Sequence, residues 1–330
     1  MTAPSSPPTI SVIIATHERP QLLRRALDSL VAQERSDFEI VVVDDASRDD
    51  TPQRLETWAR DEPRLRWLRN ADNLGPAGSR NRAIDAARGR YVAILDDDDV
   101  CRPERLRLQA AILDADPSIG LVAAPVRWVD AAGQPFRIFS GALAQGRFPG
   151  DPADAFRLLY LDSNKIPTTA VMLRTAVLEP LRAAGEEIFD PRLRVGEDWL
   201  LFLRLFSRGV RSAAISTPLV DMLRDASHAS LMGSRRRAFS DQRRVLDAIR
   251  ADLAARDDRR FDGLHRRALG RQLAREARFW TGWKGLALAH RALVVAPGDP
   301  FVREAARWMR GRALGKLRPG RSRSDSETSS

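Results

Sequence analysis

The stretch ISVIIATHERPQLLRRALDSLVAQERSDFEIVVVD (10–44) decides the fold. Its two ends, ISVIIA (10–15) and EIVVVD (39–44), are near-continuous apolar runs rich in β-branched residues, the pattern of strands covered on both faces. Between them Leu22, Leu23, Ala26, Leu27, Leu30 and Val31 recur at helical spacing, and Pro20 stands where a helix starts. Strand, helix, strand in that order predicts parallel pairing through a right-handed crossover.

Working outward, RLRWL (64–68) and RYVAIL (90–95) read as further strands. Helices are expected from near Asp49 or Thr51 and over GPAGSRNRAIDAARG (75–89), which has Pro76 in its first turn and Gly89 at its end. Next come a helix in PERLRLQAAILDAD (103–116), a strand pair or bend in GLVAAPVRWVD (120–130), and a looser stretch, 131–155, rich in Gly, Pro and Ala. IPTTAVMLR (166–174) looks like a strand and EDWLLFLRLFSRG (197–209) like a buried helix. The expected class is α/β, a mostly parallel Rossmann-like sheet flanked by helices, followed by a C-terminal helical region. The expected divisions are a flexible 1–9, a sheet domain over 10–234, a basic helical region over 235–316 and a disordered 317–330.

The 330 residues suit about two domains. Apolar residues at 43% and charged residues at 30% describe an ordinary globular chain and exclude a fibrous or disulfide-stapled scaffold. One cysteine, Cys101, cannot form an internal disulfide and suits a reducing compartment. No run approaches ~18 apolar residues, and MTAPSSPPT lacks the features of a signal peptide, so a cytoplasmic location is expected. The net charge of +10 is uneven: from Arg235 onward 24 basic residues face 11 acidic ones, against 30 and 33 before it. Nearly all the cations are arginine, a usage that a GC-rich genome also produces.

Candidate chemistry is sought where an α/β sheet binds ligands, at the carboxyl ends of its strands. ATHERP (15–20) has no G-x-G-x-x-G, no P-loop occurs, and His17, His228, His265 and His290 are scattered. Carboxylates stand out instead: Asp44 and Asp45 follow one strand, Asp96, Asp97, Asp98 and Asp99 another, on the same sheet edge. At ~6 Å and an effective dielectric of ~20, each like-charge pair costs about 3 kcal/mol before screening. A divalent cation with oxygen ligands reverses that cost and recruits a diphosphate. A solvated acidic loop is the plain alternative, and Asp99 is assigned to capping the helix that Arg102-Pro103-Glu104 begins.

Together SVIIATHERP, EIVVVDDASRDDT, NLGPAGSRNRAI, GRYVAILDDDDVCRPERL, VGEDWLLFLRL and HASL resemble the inverting nucleotide-sugar glycosyltransferases of family two, which have the glycosyltransferase-A fold. The resemblance runs over roughly 9–232. It implies that Thr16 and Asp45 border the base and ribose, Asp45 accepting from a base N–H, and that Arg80 contacts the nucleotide. Asp96 and Asp98 match the two acids of a D-x-D, the first near ribose or a metal-bound water and the second on the metal, Mg²⁺ or Mn²⁺, with Asp97 the variable middle position. Asp198 matches the catalytic base, Glu197 orients it or contacts the acceptor, and His228 lies near the metal or diphosphate. An aromatic followed by Asn is more usual where His17-Glu18 stands; imidazole can serve as a flat partner for the base. Trp199 reads as core.

The implied partners are a nucleotide-sugar donor and a saccharide or lipid-linked acceptor, as in cell-envelope polysaccharide synthesis. A sugar nucleotidyltransferase competes, but ATHERP lacks its glycine-rich, basic loop. A nucleic-acid-binding scaffold competes less well, because residues 1–234 offer no basic footprint and no aromatic RNA-binding motif accompanies the arginines. Amphipathic tail helices with Trp280, Trp283 and Trp308 suggest peripheral contact with an anionic membrane at its inner face, core packing being the alternative.

Overall fold

The computed structural model describes residues 8–139, 143, 145–146, 148–224, 235–280 and 282–313. The opening stretch forms β1 (Ile10–Thr16), α1 (Pro20–Val31) and β2 (Phe38–Asp44), with β1 and β2 parallel and Thr16 opposite Asp44. Ile10, Val12, Ile13 and Ile14 are fully buried, as a strand covered on both faces requires. Leu23, Ala26, Leu27 and Leu30 form the buried face of α1, whereas Val31 is half exposed at its last position.

The order continues as α2 (Thr51–Asp61), β3 (Leu65–Arg69), α3 (Gly75–Ala86), β4 (Tyr91–Ile94), β5 (Asp99–Cys101), α4 (Arg105–Ala115), β6 (Ile119–Ala123), β7 (Val126–Val129) and β8 (Pro135–Phe139). Then come α5 (Pro152–Asp162), a 3-10 turn (Thr168–Ala170), β9 (Val171–Arg174), α6 (Glu179–Ala183), α7 (Glu197–Ser207), β10 (Arg211–Ala214) and β11 (Val220–Leu223). Seven strands form one sheet in the order β10-β6-β9-β4-β1-β2-β3, and four form a second, β5-β11-β7-β8. Gly89 leads into β4 because the chain there passes against Ser11 N and Ile10 C, where a Cβ would stand 2.5 and 2.7 Å away.

Strand β9 departs from the parallel pattern, pairing antiparallel with both β4 and β6. Its first residues, not its last, therefore lie at the edge where β1, β2 and β4 finish. Within the Gly-, Pro- and Ala-rich 131–155 one element lies and another begins, both concealed by composition. One is β8, exposed at every position; the other is α5, whose start is capped by Asp151 Oδ1 accepting from Ala153 N and Asp154 N at 2.9 and 3.1 Å.

Arg105 at the start of α4 is completely buried. Its guanidinium donates to the Ile94 and Val171 carbonyls at 2.8 and 3.2 Å and to Gln109 Oε1 at 3.0 Å, tying the end of β4 to the start of β9.

The chain divides into two compact units, one of residues 1–159 and 163–241 and one of 160–162 and 242–330. The second contains most of α8 (Arg235–Ala255), then α9 (Leu264–Phe279), α10 (Gly282–Val295) and α11 (Pro300–Ala313). Leu273, Ala274, Ala277, Ala289, Ala292, Val302, Ala305 and Met309 make its small core. No described helix is long and apolar enough to cross a membrane.

Candidate active site

Parallel strands β1, β2 and β4 bring their carboxyl ends to one edge, so the residues after each meet there. Backbone at positive φ marks two of these exits, Glu18 at 54° after β1 and Ala46 at 59° after β2. Non-glycine residues adopt this conformation at a cost, and such strain concentrates at ligand sites. The exits border a cleft of about 890 Å³ lined by His17, Glu18, Ala46, Arg48, Arg69 and Asn70. His17 is held by Nδ1 donating to the Asp45 carbonyl at 2.8 Å, and half of its side chain remains exposed.

Asp45 itself is buried behind that wall. Its Oδ1 accepts from Asn70 Nδ2 at 2.7 Å and from Leu74 N at 2.8 Å, while Oδ2 accepts from Gly75 N at 2.8 Å. The carboxylate thus fixes the start of α3, and Oδ2 keeps a lone pair for a further donor. Thr16 is also buried and donates to Asp97 Oδ2 at 2.7 Å. Asp97, away from solvent and beside Asp98, is pushed up to about 7, against the pull of Thr16 and Arg19.

The remaining three aspartates converge. Carboxylate oxygens of Asp96, Asp98 and Asp99 lie within 4.8 Å of one another, a spacing suited to a hard divalent cation. The capping assignment for Asp99 is overturned. This residue lies in β5, 1% exposed, and the helix it was to cap begins later, with Glu104 at its N-cap and no side-chain cap. Neither Asp99 oxygen has a hydrogen-bond partner among the described residues. Burial, then Asp96 and Asp98, push its carboxyl well above the ordinary range, while the Thr169 hydroxyl and Arg224 pull weakly the other way. A buried acid beside two other carboxylates suits a divalent cation.

Arg80 is neither an exposed helix arginine nor open to the cleft. It is 11% exposed, with Nη2 2.6 Å from Asp96 Oδ1 and Nη1 2.8 Å from Glu197 Oε1. Burial opposes its charge, but Asp96, Glu197 and Asp198 outweigh this and hold its pKa above the ordinary value. One guanidinium therefore joins the acidic cluster to the start of α7.

Glu197 and Asp198 occupy the first turn of α7, entered through Gly196 at φ 90°. Burial and Asp198 push Glu197 up to about 7, with Arg80 opposing. Asp198 Oδ2 accepts from Asn164 Nδ2 at 2.8 Å and from the Thr168 hydroxyl, and Oδ1 accepts from Trp199 N at 2.6 Å. Burial raises the Asp198 pKa although Thr168, Arg80 and Trp199 N favour its charge. Trp199 is core, its indole donating to the Leu159 carbonyl at 3.0 Å.

His228 and the rest of HASL lie outside the described residues. Arg19 had no assigned role, yet its Nη1 stands 3.5 Å from Asp97 and 3.4 Å from Asp98. Asn70, Asn164, Thr168 and Thr169 were also missed. Only the Thr168-Thr169 pair carried a signal, two hydroxyls just ahead of an apolar run.

The Glycosyl transferase family 2 profile matches residues 11–179. Succinoglycan biosynthesis protein ExoO of Rhizobium meliloti is 34% identical over 209 residues, 62% of this chain and 58% of that protein. The chain spans less than two thirds of the length of the first curated relatives it matches. Among solved structures, S. aureus TarS 1-349 in complex with UDP-GlcNAc superposes with a TM-score of 0.61 at 20% identity, covering 94% of this chain and 93% of that one. Mannosyltransferase PcManGT from Pyrobaculum calidifontis, in complex with GDP-Man and Mn²⁺, gives 0.53 at 20% identity over 95% and 88%. These likenesses show the glycosyltransferase-A fold. With a profile covering just over half of its length and the acidic strand ends falling inside the match, the chain belongs to glycosyl transferase family 2.

Proposed function

We propose that the chain is an inverting, metal-dependent glycosyltransferase that moves a sugar from a nucleotide-diphosphate sugar to a hydroxyl acceptor in cell-envelope or exported polysaccharide or glycolipid synthesis, working in the cytoplasm. The observation that carries this reading is the Arg80 bridge, 2.6 Å to Asp96 and 2.8 Å to Glu197, which joins a cation-sized acidic cluster to a buried acid pair. Residues 10–234 would form the catalytic domain. The cleft beside His17 suits the base, with Thr16 and Asp45 behind it and Asp45 Oδ2 able to accept from a base N–H.

Asp96, Asp98 and Asp99 are the residues to hold Mg²⁺ or Mn²⁺, the buried, partnerless oxygens of Asp99 being the best support. Such an ion supplies neutralisation of the leaving diphosphate. An acceptor hydroxyl is a poor nucleophile until its proton is removed, and Asp198 is the group to take it. Oδ1, which has one donor against two on Oδ2, is the oxygen for that proton. Its raised pKa makes it a stronger base than an exposed aspartate. The new bond joins the acceptor oxygen to the anomeric carbon as the bond to the diphosphate breaks on the opposite face, so one displacement inverts configuration. Asn164, Thr168 and Trp199 N orient Asp198, and Arg80 holds Glu197 beside it.

The test is thermal stabilisation by nucleotide. UDP or GDP raises the melting temperature only with Mg²⁺ or Mn²⁺ present, and Asp98→Ala abolishes that dependence. Undiminished metal-dependent stabilisation of the variant would refute the assignment.

A further inference from the structure

The basic C-terminal helices divide their tryptophans. Trp280 and Trp308 pack against the helical core, so two of the three rings expected at a membrane are structural. Trp283 is 87% exposed and Val294, on the same helix, 69% exposed. Along α10 the positions 283, 287, 290 and 294 are all exposed, while Leu288, Ala289 and Ala292 are buried. Steps of four, three and four put Trp283, Ala287, His290 and Val294 in one stripe on the side opposite the core. Phe279, at the end of α9, is also exposed.

The charge on this helix is of one sign. GWKGLALAHRALVV contains no carboxylate. Its cations, Lys284 and Arg291, are exposed and have no carboxylate partner among the described residues; Lys284 Nζ stands 3.3 Å above the Trp280 ring. Three arginines of neighbouring α9 differ: Arg267 and Arg271 share Asp299, and Arg278 meets Glu304. A stripe headed by an indole, apolar at Trp283, Ala287 and Val294 and interrupted only by His290, flanked by cations with no acid on the helix, complements a surface that is apolar within and anionic at its face.

We propose that the outward face of α10, Trp283 to Val294 with Lys284 and Arg291, docks the protein on an anionic phospholipid bilayer. Indole sits at the level of the headgroups with Ala287 and Val294 against the acyl boundary, and His290 and the two cations reach to lipid phosphates, Lys284 and Arg291 along their own methylene stems. The inference is independent of the reaction and tested without it.

The full chain is sedimented with phosphatidylglycerol–phosphatidylcholine vesicles and with phosphatidylcholine alone. Binding to the first only, weakened by added salt, is expected. Trp283→Ala lowers the partition coefficient roughly tenfold or more while leaving the melting temperature unchanged, because the ring makes little contact in the free protein. Lys284→Gln and Arg291→Gln each lower it about fivefold. Brominated lipid quenches tryptophan fluorescence in the wild type, and this quenching falls in Trp283→Ala. Absence of binding to anionic vesicles overturns the proposal, as does binding that all three substitutions leave intact. So does self-association in solution that Trp283→Ala abolishes, which would assign the stripe to a second copy.

Discussion

In the sheet unit and in the helical unit an aspartate is buried almost completely: Asp99 is 1% exposed and Asp299 3%. Asp299 receives Arg271 at 3.0 Å, Arg267 at 3.2 Å and the backbone N–H of Phe301 and Val302. Burial works against its charge, yet these donors hold its carboxyl below the ordinary range. Asp99 has only the Thr169 hydroxyl and Arg224 to favour its charge against two carboxylates beside it, and shifts the opposite way. A chain that pairs one buried acid so fully has the means to pair the other. The acids around β5 and α7 are crowded against one another, and the acid at the head of α11 is completed by the fold.

The largest expected effect separates the proposed base from its neighbours. Asp198→Asn keeps the shape of the site but cannot take a proton, so turnover of nucleotide sugar falls by roughly 10²–10⁴ with metal and donor affinity nearly unchanged. Wild-type turnover in the variant, or retention of anomeric configuration in the product by NMR, would return Asp198 to the role of a first-turn residue.

The second measurement sharpens the contrast itself. Asp299→Ala takes from Arg267 and Arg271 the partner they share, leaving Arg271 with Asp162 alone, and removes a helix cap, lowering stability in chemical denaturation by about 2 kcal/mol. Asp99→Asn, measured without divalent ion, should leave stability unchanged or raise it, because a buried group without a counter-charge is lost. It should also remove the stabilisation that Mn²⁺ gives. Equal losses in the two variants would break the comparison.

The smallest effect is a slope. Glu197 carries a pKa near 7 in the folded protein and an ordinary one when unfolded, so the folded state binds the extra proton between the two values. Its contribution to stability is therefore fully present below the unfolded pKa and is lost as pH rises through about 7. Melting temperatures should show Glu197→Gln gaining on the wild type between about pH 5 and pH 8. A wild type that gains instead would mean that the Arg80 pair outweighs burial.

Apolar runs gave β1, β2, β4 and the crossover between the first two, because buried parallel strands need unbroken hydrophobic residues. They could not give β5, three residues long and paired with β11 some 120 residues later, since only the tertiary partner makes it a strand. For the same reason Asp99 read as a cap: beside an Arg-Pro-Glu helix start, local chemistry pointed one way and the pairing of β5 another. The D-x-D and the acids of α7 were legible as types in order. Their holders, Arg19, Asn164 and Thr168, were not, because each reaches its aspartate across a gap in sequence that no periodicity records.

The reversed direction of β9 has a consequence for how such a protein can diversify. Its start brings Thr168 to Asp198 and Thr169 to the backbone of Asp96, so a single short turn touches both the acidic cluster and the first turn of α7. The chain leaves the same edge after β6 and returns to it at Thr168. What is threaded between those two points divides by burial: Val126, Phe156 and Leu159 are packed in the interior and Asn164 reaches Asp198, so they are tied to the frame, whereas β8, exposed at every position, is the part that can be exchanged while the two hydroxyls at the exit keep their partners.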